Sequence, residues 1–209
     1  MTELHEWFAT ASEKEGALLA MTSKGPTGGP IIVVLVFYNG DEAEGRKKFA
    51  KLTELGPVVN GTGMIPYELV NTMQNDLVPY GHNYHITGTL RGKKPVEAQA
   101  SQDVFNRMLQ IASTPGACSA NGDPTMTILW EFFHLQKAVG VPSDATAFRM
   151  REASPQLPMV ITWEGDSAEA TKDAKERLRQ VKQAIDENVK DTFVGGMSKD
   201  DTGYGNYGQ

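Results

Sequence analysis

Hydrophobic and polar positions repeat with two different periods along this chain, and those periods predict its elements. Apolar side chains recur every three or four positions in helical stretches at residues 2–14, 42–55, 96–112 and 167–189. β-Branched or alternating stretches predict strands at residues 17–22, 31–38, 82–90, 126–136, 146–151 and 159–163. A glycine- and proline-rich turn at residues 24–30 joins the first two strands as a hairpin, and a short helix is expected to begin at Pro66.

These elements do not alternate strictly, so the order favours an α+β fold. The prediction is an antiparallel β-sheet with helices packed on one face and the other face open for a flavin domain, a ligand or a dimer partner. Residues 1–194 are expected to form one domain. Residues 195–209 contain five glycines and almost no aliphatic residue, which predicts a flexible tail.

Charge and composition narrow the expected partners. A net charge of -6 argues against a broad basic surface, so neither nucleic acid nor an anionic membrane is expected, and a small organic ligand suits the chain better. The longest apolar run, residues 31–37, is too short to span a bilayer. Residues 1–20 carry charges where a signal peptide is apolar, so the chain as written is expected in the cytoplasm, although a parent protein could be secreted.

The predicted strand at residues 82–90 carries candidate polar side chains on both faces. Alternation places His82 and Tyr84 on one face and His85 on the other, so the two histidines are not expected to share a metal ion. His82 is either a hydrogen-bonded surface residue or part of a substrate surface. Tyr84 either packs its ring and exposes its hydroxyl, or it positions a substrate or transfers a proton.

Glu131 interrupts an aromatic strand between Trp130 and Phe132. Burying a carboxylate costs several kcal/mol, by rough estimate, unless the group is paired or protonated. Two interpretations stay open: a catalytic base with a raised pKa, or an ion pair with Arg149 or Arg151 across an antiparallel strand pair. Trp130, Phe132 and Arg149, together with His82, are the predicted substrate-binding residues.

Four segments, taken together and in order, carry a family resemblance. Residues 36–45 run Val-Phe-Tyr-Asn-Gly-Asp-Glu-Ala-Glu-Gly, and residues 81–85 run Gly-His-Asn-Tyr-His. Residues 142–151 run Pro-Ser-Asp-Ala-Thr-Ala-Phe-Arg-Met-Arg, and residues 204–207 run Tyr-Gly-Asn-Tyr. The chain thereby resembles fungal members of the berberine-bridge flavoprotein family, which belongs to the vanillyl-alcohol-oxidase class.

In that family one domain binds FAD and a second lays an antiparallel sheet over the isoalloxazine ring. The resemblance implies that this chain corresponds to the second, substrate-binding domain, without the FAD-binding domain. It places Tyr84 near flavin and substrate as a catalytic residue, with Glu131 as the other candidate, and it assigns cofactor contacts to Tyr204, Asn206 and Tyr207. No glycine-rich segment precedes a helix as in a dinucleotide fingerprint, so the chain alone is not expected to bind FAD.

The resemblance implies a substrate-binding domain or truncated relative of an FAD-dependent oxidoreductase that oxidises an alcohol, a sugar or an amine. Such a chain would not be redox-active alone and would need an FAD-binding domain or subunit as its partner. The alternative is a stand-alone, flavin-free small-molecule-binding protein or non-redox enzyme. In that case we expect a homodimer, because the open sheet face would otherwise leave apolar surface in water.

Overall fold

Within the part of the chain that the structure describes, five antiparallel strands form a single sheet, and helices cover one side of it. The computed structural model describes residues 1–77, 82–90, 96–142, 144–146 and 156–189. The strands are β1 (Glu15–Thr22), β2 (Ile31–Tyr38), β3 (Asn83–Leu90), β4 (Thr125–Phe132) and β5 (Gln156–Trp163). The α-helices are α1 (Thr2–Thr10), α2 (Glu42–Lys48), α3 (Ala50–Glu54), α4 (Ala98–Ala112), α5 (Gln136–Val139) and α6 (Ala168–Val189), and 3-10 helices span Tyr67–Leu77 and Ala117–Ser119.

The strand order in the sheet is β2-β1-β4-β5-β3, with every neighbouring pair antiparallel. β1 and β2 form the predicted hairpin, from Glu15 opposite Tyr38 to Thr22 opposite Ile31. At its turn the Gly25 amide donates to the Gly29 carbonyl at 2.7 Å, and Gly28 has a φ of 88°, which glycine adopts without steric cost. The α+β fold predicted from the sequence is therefore confirmed.

The hydrophobic core lies between the sheet and the helices α1, α4 and α6. Alternate residues of β4 point into it, and α6 contributes a stripe of small and aliphatic side chains spaced three or four residues apart. That stripe is Ala170, Ala174, Leu178, Val181 and Ile185. The Ser167 hydroxyl accepts a hydrogen bond from the Ala170 amide at 3.0 Å and caps the helix.

A buried arginine joins α6 to the end of α4. The Arg177 guanidinium donates to the carbonyls of Ile111 at 2.8 Å and Thr114 at 2.7 Å, and it pairs with Asp173 at 3.2 Å. A Cβ atom at Gly116 would lie 2.4 Å from the Asp173 carboxylate, so only glycine fits beside the pair. The last carbonyls of α4, which have no partner within their own helix, are satisfied in this way.

Glycines in the segment at residues 36–45 make room for one tyrosine ring. A Cβ atom at Gly40 would lie 2.4 Å from Tyr38 Cε1, and one at Gly45, inside α2, would lie 3.2 Å from Tyr38 Cδ1. The Tyr38 hydroxyl donates to the Glu44 carboxylate at 2.6 Å, and this hydrogen bond raises the pKa of Tyr38 to about 12. Asp41 caps α2 by accepting from the Glu44 amide.

Several predicted boundaries differ from the structure. The helix predicted at residues 42–55 is two helices, because Phe49 leaves helical geometry (φ -104°, ψ 14°) and buries its ring against Trp7. The strand predicted at residues 126–136 ends at Phe132 and is followed by α5. Of the strand predicted at residues 146–151, Thr146 lies in a bend and the rest falls outside the described residues, as does the glycine-rich tail. None of the helices in the described ranges is long and apolar enough to span a membrane.

Candidate functional site

One face of the sheet points away from the helices, and we call it the open face. The strand register shows which of its residues are neighbours across β2, β1 and β4. One row consists of Leu35, Leu18 and Glu131, and the next row on the same face consists of Val33, Ala20 and Leu129. The other described side chains on this face are Phe37, Ile31, Thr22, Thr127, Thr125, Pro158, Val160, Thr162, Tyr84 and Ile86. Among these residues Glu131 is the one that carries a charge, so the surface is mostly apolar.

Glu131 holds its carboxyl group in apolar surroundings. Its cross-strand neighbour is Leu18, and burial raises the pKa of Glu131 to about 7. No described cation lies within salt-bridge distance of it, and the predicted partners Arg149 and Arg151 fall outside the described residues. Near neutral pH this group is therefore divided between its acid and its carboxylate forms, as a proton-transfer group requires.

Aromatic rings surround the same end of the open face. Phe133 follows two residues after Glu131, and its Cδ1 atom would lie 3.1 Å from a Cβ atom at Gly16, so the ring covers that glycine. Gly16 is paired with Phe37, whose ring centroid is 6.4 Å from that of Tyr67. None of these four residues was predicted as part of a site. A glycine inside the apolar strand β1 was the available signal, because such a glycine marks a close approach.

Tyr84 lies at the opposite end of the open face. It is 62% exposed, pairs with Thr162 of β5, and is level with Thr125 of β4. Glu131 is six residues further along β4, which corresponds to about 20 Å at the usual rise per residue. Tyr84 and His85 lie on opposite faces of the sheet, as strand alternation predicts, but the two predicted catalytic residues do not meet at one reacting atom.

The predicted histidines have separate surroundings. His82 is exposed, with its Nδ1 atom 3.9 Å from the Glu164 carboxylate. His85 points to the helix side, where burial and the charge of Lys175 hold its pKa below the ordinary value. Among the described His, Cys, Asp and Glu side chains, no three gather as metal ligands.

Trp130 and Phe132 face the hydrophobic core. Both are 0% exposed, and the rings of His5 and Phe8 pack edge-on against Phe132 at 5.4 and 5.6 Å. They therefore lie on the other side of the sheet from Glu131, and a ligand on the open face does not reach them. Four further predicted site residues fall outside the described residues: Arg149, Tyr204, Asn206 and Tyr207.

Solved structures of larger proteins share this fold. BBE-like 1 from Physcomitrella patens superposes with a TM-score of 0.61 at 14% identity, over 90% of this chain and 40% of that protein. 6-Hydroxy-D-nicotine oxidase from Arthrobacter nicotinovorans gives 0.60 at 14% identity, over 88% and 39%. A variant of berberine bridge enzyme gives 0.60 at 16% identity, over 99% and 40%. The chain thus spans about two fifths of the length of each of these structures.

Sequence comparison gives a more local match. An FAD-linked oxidoreductase from Dictyostelium discoideum is 32% identical over 82 residues, which is 39% of this chain and 18% of that protein. No model of a protein family matches the sequence. The sequence relative and the solved structures named above carry the names of oxidoreductases or berberine-bridge-type proteins.

Proposed function

We propose that this chain is the substrate-binding domain, or a truncated relative, of an FAD-dependent oxidoreductase of the berberine-bridge type. The observation that carries the proposal is the shared fold, which extends over about nine tenths or more of the chain in oxidoreductases such as BBE-like 1 and berberine bridge enzyme. The local sequence match to an FAD-linked oxidoreductase points the same way. In this proposal the substrate is an alcohol, a sugar or an amine, and the open face is the surface that it meets.

The described residues suit the flat ring of a flavin, but not the rest of FAD. An apolar sheet face can contact one side of an aromatic ring. A pyrophosphate is usually held by backbone amides at a helix N-terminus after a glycine-rich loop, whereas the described glycine-rich turn here joins the strands β1 and β2. When flavin is bound it accepts hydride from the substrate, and the role that remains for this chain is to bind and orient that substrate.

We further propose that the open face is covered by an FAD-binding domain or subunit. Its half-exposed side chains on β2 are aliphatic or aromatic (Ile31, Val33, Leu35 and Phe37), whereas Leu18 and Ala20 in the middle of the face are buried. Apolar surface of this kind is typical of interaction sites. A second copy of this chain is the alternative occupant. It would make the protein a stand-alone, flavin-free binding protein or non-redox enzyme.

Flavin content distinguishes these functions. The chain produced alone is expected to bind no FAD in equilibrium dialysis, whereas the protein recovered from its native cells is expected to carry one FAD and a flavin-binding polypeptide per chain. Stoichiometric FAD in the isolated chain would show that the flavin-binding part is present within it. Native protein that has neither flavin nor a partner would support the alternative.

A pair of neighbouring substitutions tests which surface the partner covers. Val33 lies on the open face, whereas Val34, the next residue of β2, points to the other side and is 38% exposed. Val33→Glu is expected to abolish association with the partner, because it places an unpaired charge in the interface. Val34→Glu is the matched control and is expected to leave association unchanged. Sedimentation velocity measures both variants, and equal effects would move the interface away from the open face.

A further inference from the structure

β2 is an edge strand of the sheet, and its outer edge has no pairing partner among the described residues. On that side neither α2 nor the 3-10 helix Tyr67–Leu77 runs along the strand. We propose that two copies of this chain pair through β2, antiparallel and about a two-fold axis, so that their two sheets become one. The inference concerns the association of the chain with itself, and it does not depend on the proposed function.

Hydrogen-bonding groups of the β2 backbone point outward at every second residue. The Asn39 amide, one residue beyond β2, donates to the Lys14 carbonyl at 2.8 Å. Alternate residues of an antiparallel strand direct both backbone groups to the same side, so Phe37, Leu35 and Val33 face β1 as Asn39 does. The residues that face outward are Ile32, Val34, Val36 and Tyr38. Their amides and carbonyls make no hydrogen bond within the described part of the chain.

β2 lacks the features that usually protect an edge strand. Its eight residues read Ile-Ile-Val-Val-Leu-Val-Phe-Tyr, without a charge, a proline or a glycine. Natural edge strands carry such residues because a free, flat and apolar edge binds other strands. β3, the other edge strand of the described sheet, is more polar and contains Asn83, His85 and Gly88. A further strand is therefore expected at β2.

Two-fold symmetry fixes the register of the pair. With Leu35 opposite Leu35 of the second copy, every outward residue of one β2 meets an outward residue of the other. The pairs are Ile32 with Tyr38 of the second copy and Val34 with Val36 of the second copy, and the axis repeats each of them. Each pair exchanges two hydrogen bonds, so all the outward amides and carbonyls of β2 find partners. An edge that satisfies itself in this way selects a second copy over an unrelated strand.

The same register covers apolar side chains that the described helices leave exposed. Ile32 is 55% exposed and Val34 is 38% exposed, both on the helix side of the sheet. Val36 and Tyr38 are packed partly against the core, and Gly45 of α2 lies next to the Tyr38 ring. One half of β2 is therefore covered on this side and the other half is not. The two-fold axis places the covered half of one copy beside the uncovered half of the other.

Charges beyond the two ends of β2 are complementary in this arrangement. The turn that precedes β2 carries Lys24, and Asp41 follows the strand at its other end, both exposed. In an antiparallel pair the turn of each copy lies towards the Asp41 end of the other, so opposite charges approach each other. A parallel pair would bring like charges together.

Amide hydrogen exchange, followed residue by residue by NMR, tests the pairing in the full chain. Sedimentation equilibrium is expected to show a dimer, and in the dimer the outward amides of Ile32, Val34 and Val36 should exchange at least about tenfold more slowly than in dilute monomer. The amides of Val33 and Leu35 already bond to β1, so they are the control within the same strand and should change little. A chain that stays monomeric at millimolar concentration, or a dimer without this alternating protection, would overturn the proposal.

Proline at position 34 tests the backbone contact. Val34→Pro removes an outward amide and places its ring on the outer edge, but it removes no hydrogen bond to β1. It is expected to weaken self-association at least about tenfold. Val34→Ala keeps the amide and is the matched control, with an expected change below about threefold.

Lysine substitutions test which edge of the sheet is used. Ile32→Lys keeps every backbone group and places a charge opposite Tyr38 of the second copy, so it is expected to weaken self-association at least about tenfold. Tyr84→Lys places the same charge on β3, at the opposite edge, and should change self-association less than about twofold. Circular dichroism and melting temperature establish that each variant is folded. Folded Val34→Pro and Ile32→Lys chains that dimerise as wild type does would place the second copy elsewhere.

Self-association through β2 is separable from association through the open face. The Val34 side chain points away from the open face, so Val34→Pro is expected to separate the two copies and to leave the FAD-binding partner attached. A native complex without flavin would remove the oxidoreductase and leave the β2 pair intact. If Val34→Pro instead releases the FAD-binding partner and leaves the two copies together, that partner and not a second copy holds the edge, and the proposal is wrong.

Discussion

Two charged groups of this protein, one buried and one half-buried, have opposite surroundings. Arg177 is 3% exposed, and its guanidinium meets the carbonyls of Ile111, Ala112 and Thr114 and the carboxylate of Asp173. Glu131 lies among apolar side chains, and burial alone raises its pKa to about 7. A charge that is fully paired inside the protein serves the fold, whereas a desolvated charge without a described partner is suited to meet something outside it.

The pKa of Asp173, the carboxyl group that pairs with Arg177, supports this distinction between a charge that is paired inside the protein and one without a described partner. Burial raises the pKa of Asp173, but the hydrogen bonds from Arg177 and from the Cys118 amide outweigh it and hold the pKa below its ordinary value. The pKa of the Cys118 thiol is raised to about 11 by burial and by Asp173, so this cysteine stays protonated and unreactive. The lowered pKa of Asp173 reflects the ion pair and hydrogen bonds that hold this structural network together.

Removing the paired charge should have the largest effect on stability. Arg177→Leu removes the guanidinium that donates to three carbonyls and pairs with Asp173, so the free energy of unfolding is expected to fall by about 3–5 kcal/mol in urea titrations. Arg179, also on α6, is exposed and pairs with Glu176 at the surface. Arg179→Leu is therefore the control, with an expected loss below about 1 kcal/mol. Similar losses in the two variants would mean that the buried network contributes no more than a surface ion pair.

Removing the charge of Glu131, which has no partner among the described residues, should instead raise the stability of the folded protein, by an amount that depends on pH. Because the folded-state pKa of Glu131 is raised to about 7, from an ordinary value of 4.5, the folded protein loses stability as the pH rises between these values. Glu131→Gln is expected to be more stable than wild type by about 2–3 kcal/mol near pH 8 and nearly equal near pH 5. Urea titrations at both pH values measure the difference. A constant difference would mean that Glu131 is paired in solution.

Replacing Glu15 should change the stability of the protein with the opposite pH dependence to that of Glu131, and by a smaller amount. Burial raises the pKa of Glu15, but hydrogen bonds from Ser12 and the ammonium of Lys48 at 3.2 Å outweigh it, so the pKa is lowered. Its stabilising effect is present above the unfolded-state pKa and is lost as the pH falls through the folded-state pKa. Glu15→Gln is expected to destabilise the protein by about 1–2 kcal/mol near pH 7 and progressively less in acid. Glu54→Gln is the control, and equal pH profiles for the two variants would contradict the assignment.

Local patterns predicted most of the fold. The runs at residues 31–38 and 82–90 give strands with nearly the expected bounds, and their alternation assigns Tyr84 and His85 to the correct faces. The split at Phe49 was missed, because the apolar spacing of residues 42–55 fits one helix equally well. What decides it is the ring of Trp7, which is remote in sequence and binds Phe49 into the core.

The site was predicted less completely than the fold. Glu131 was identified because a carboxyl group between two aromatic residues conflicts with burial, and its raised pKa reflects that conflict. The separation of Glu131 from Tyr84 depends on the register of β4 against β5 and of β5 against β3. Register is set by pairing between distant parts of the chain, so no local pattern reveals it.

The strand order also constrains how this protein is made. β3 is the third described strand in the chain but lies at the edge of the sheet, where its described pairing partner is β5, the last of the described strands to be synthesised. On the ribosome the β1–β2 hairpin can close early, whereas β3 must wait, unpaired, until β4 and β5 have emerged. Such distant pairing slows folding and exposes a strand edge meanwhile. The Tyr84 end of the open face is thus completed last, during the interval in which nascent chains aggregate most readily.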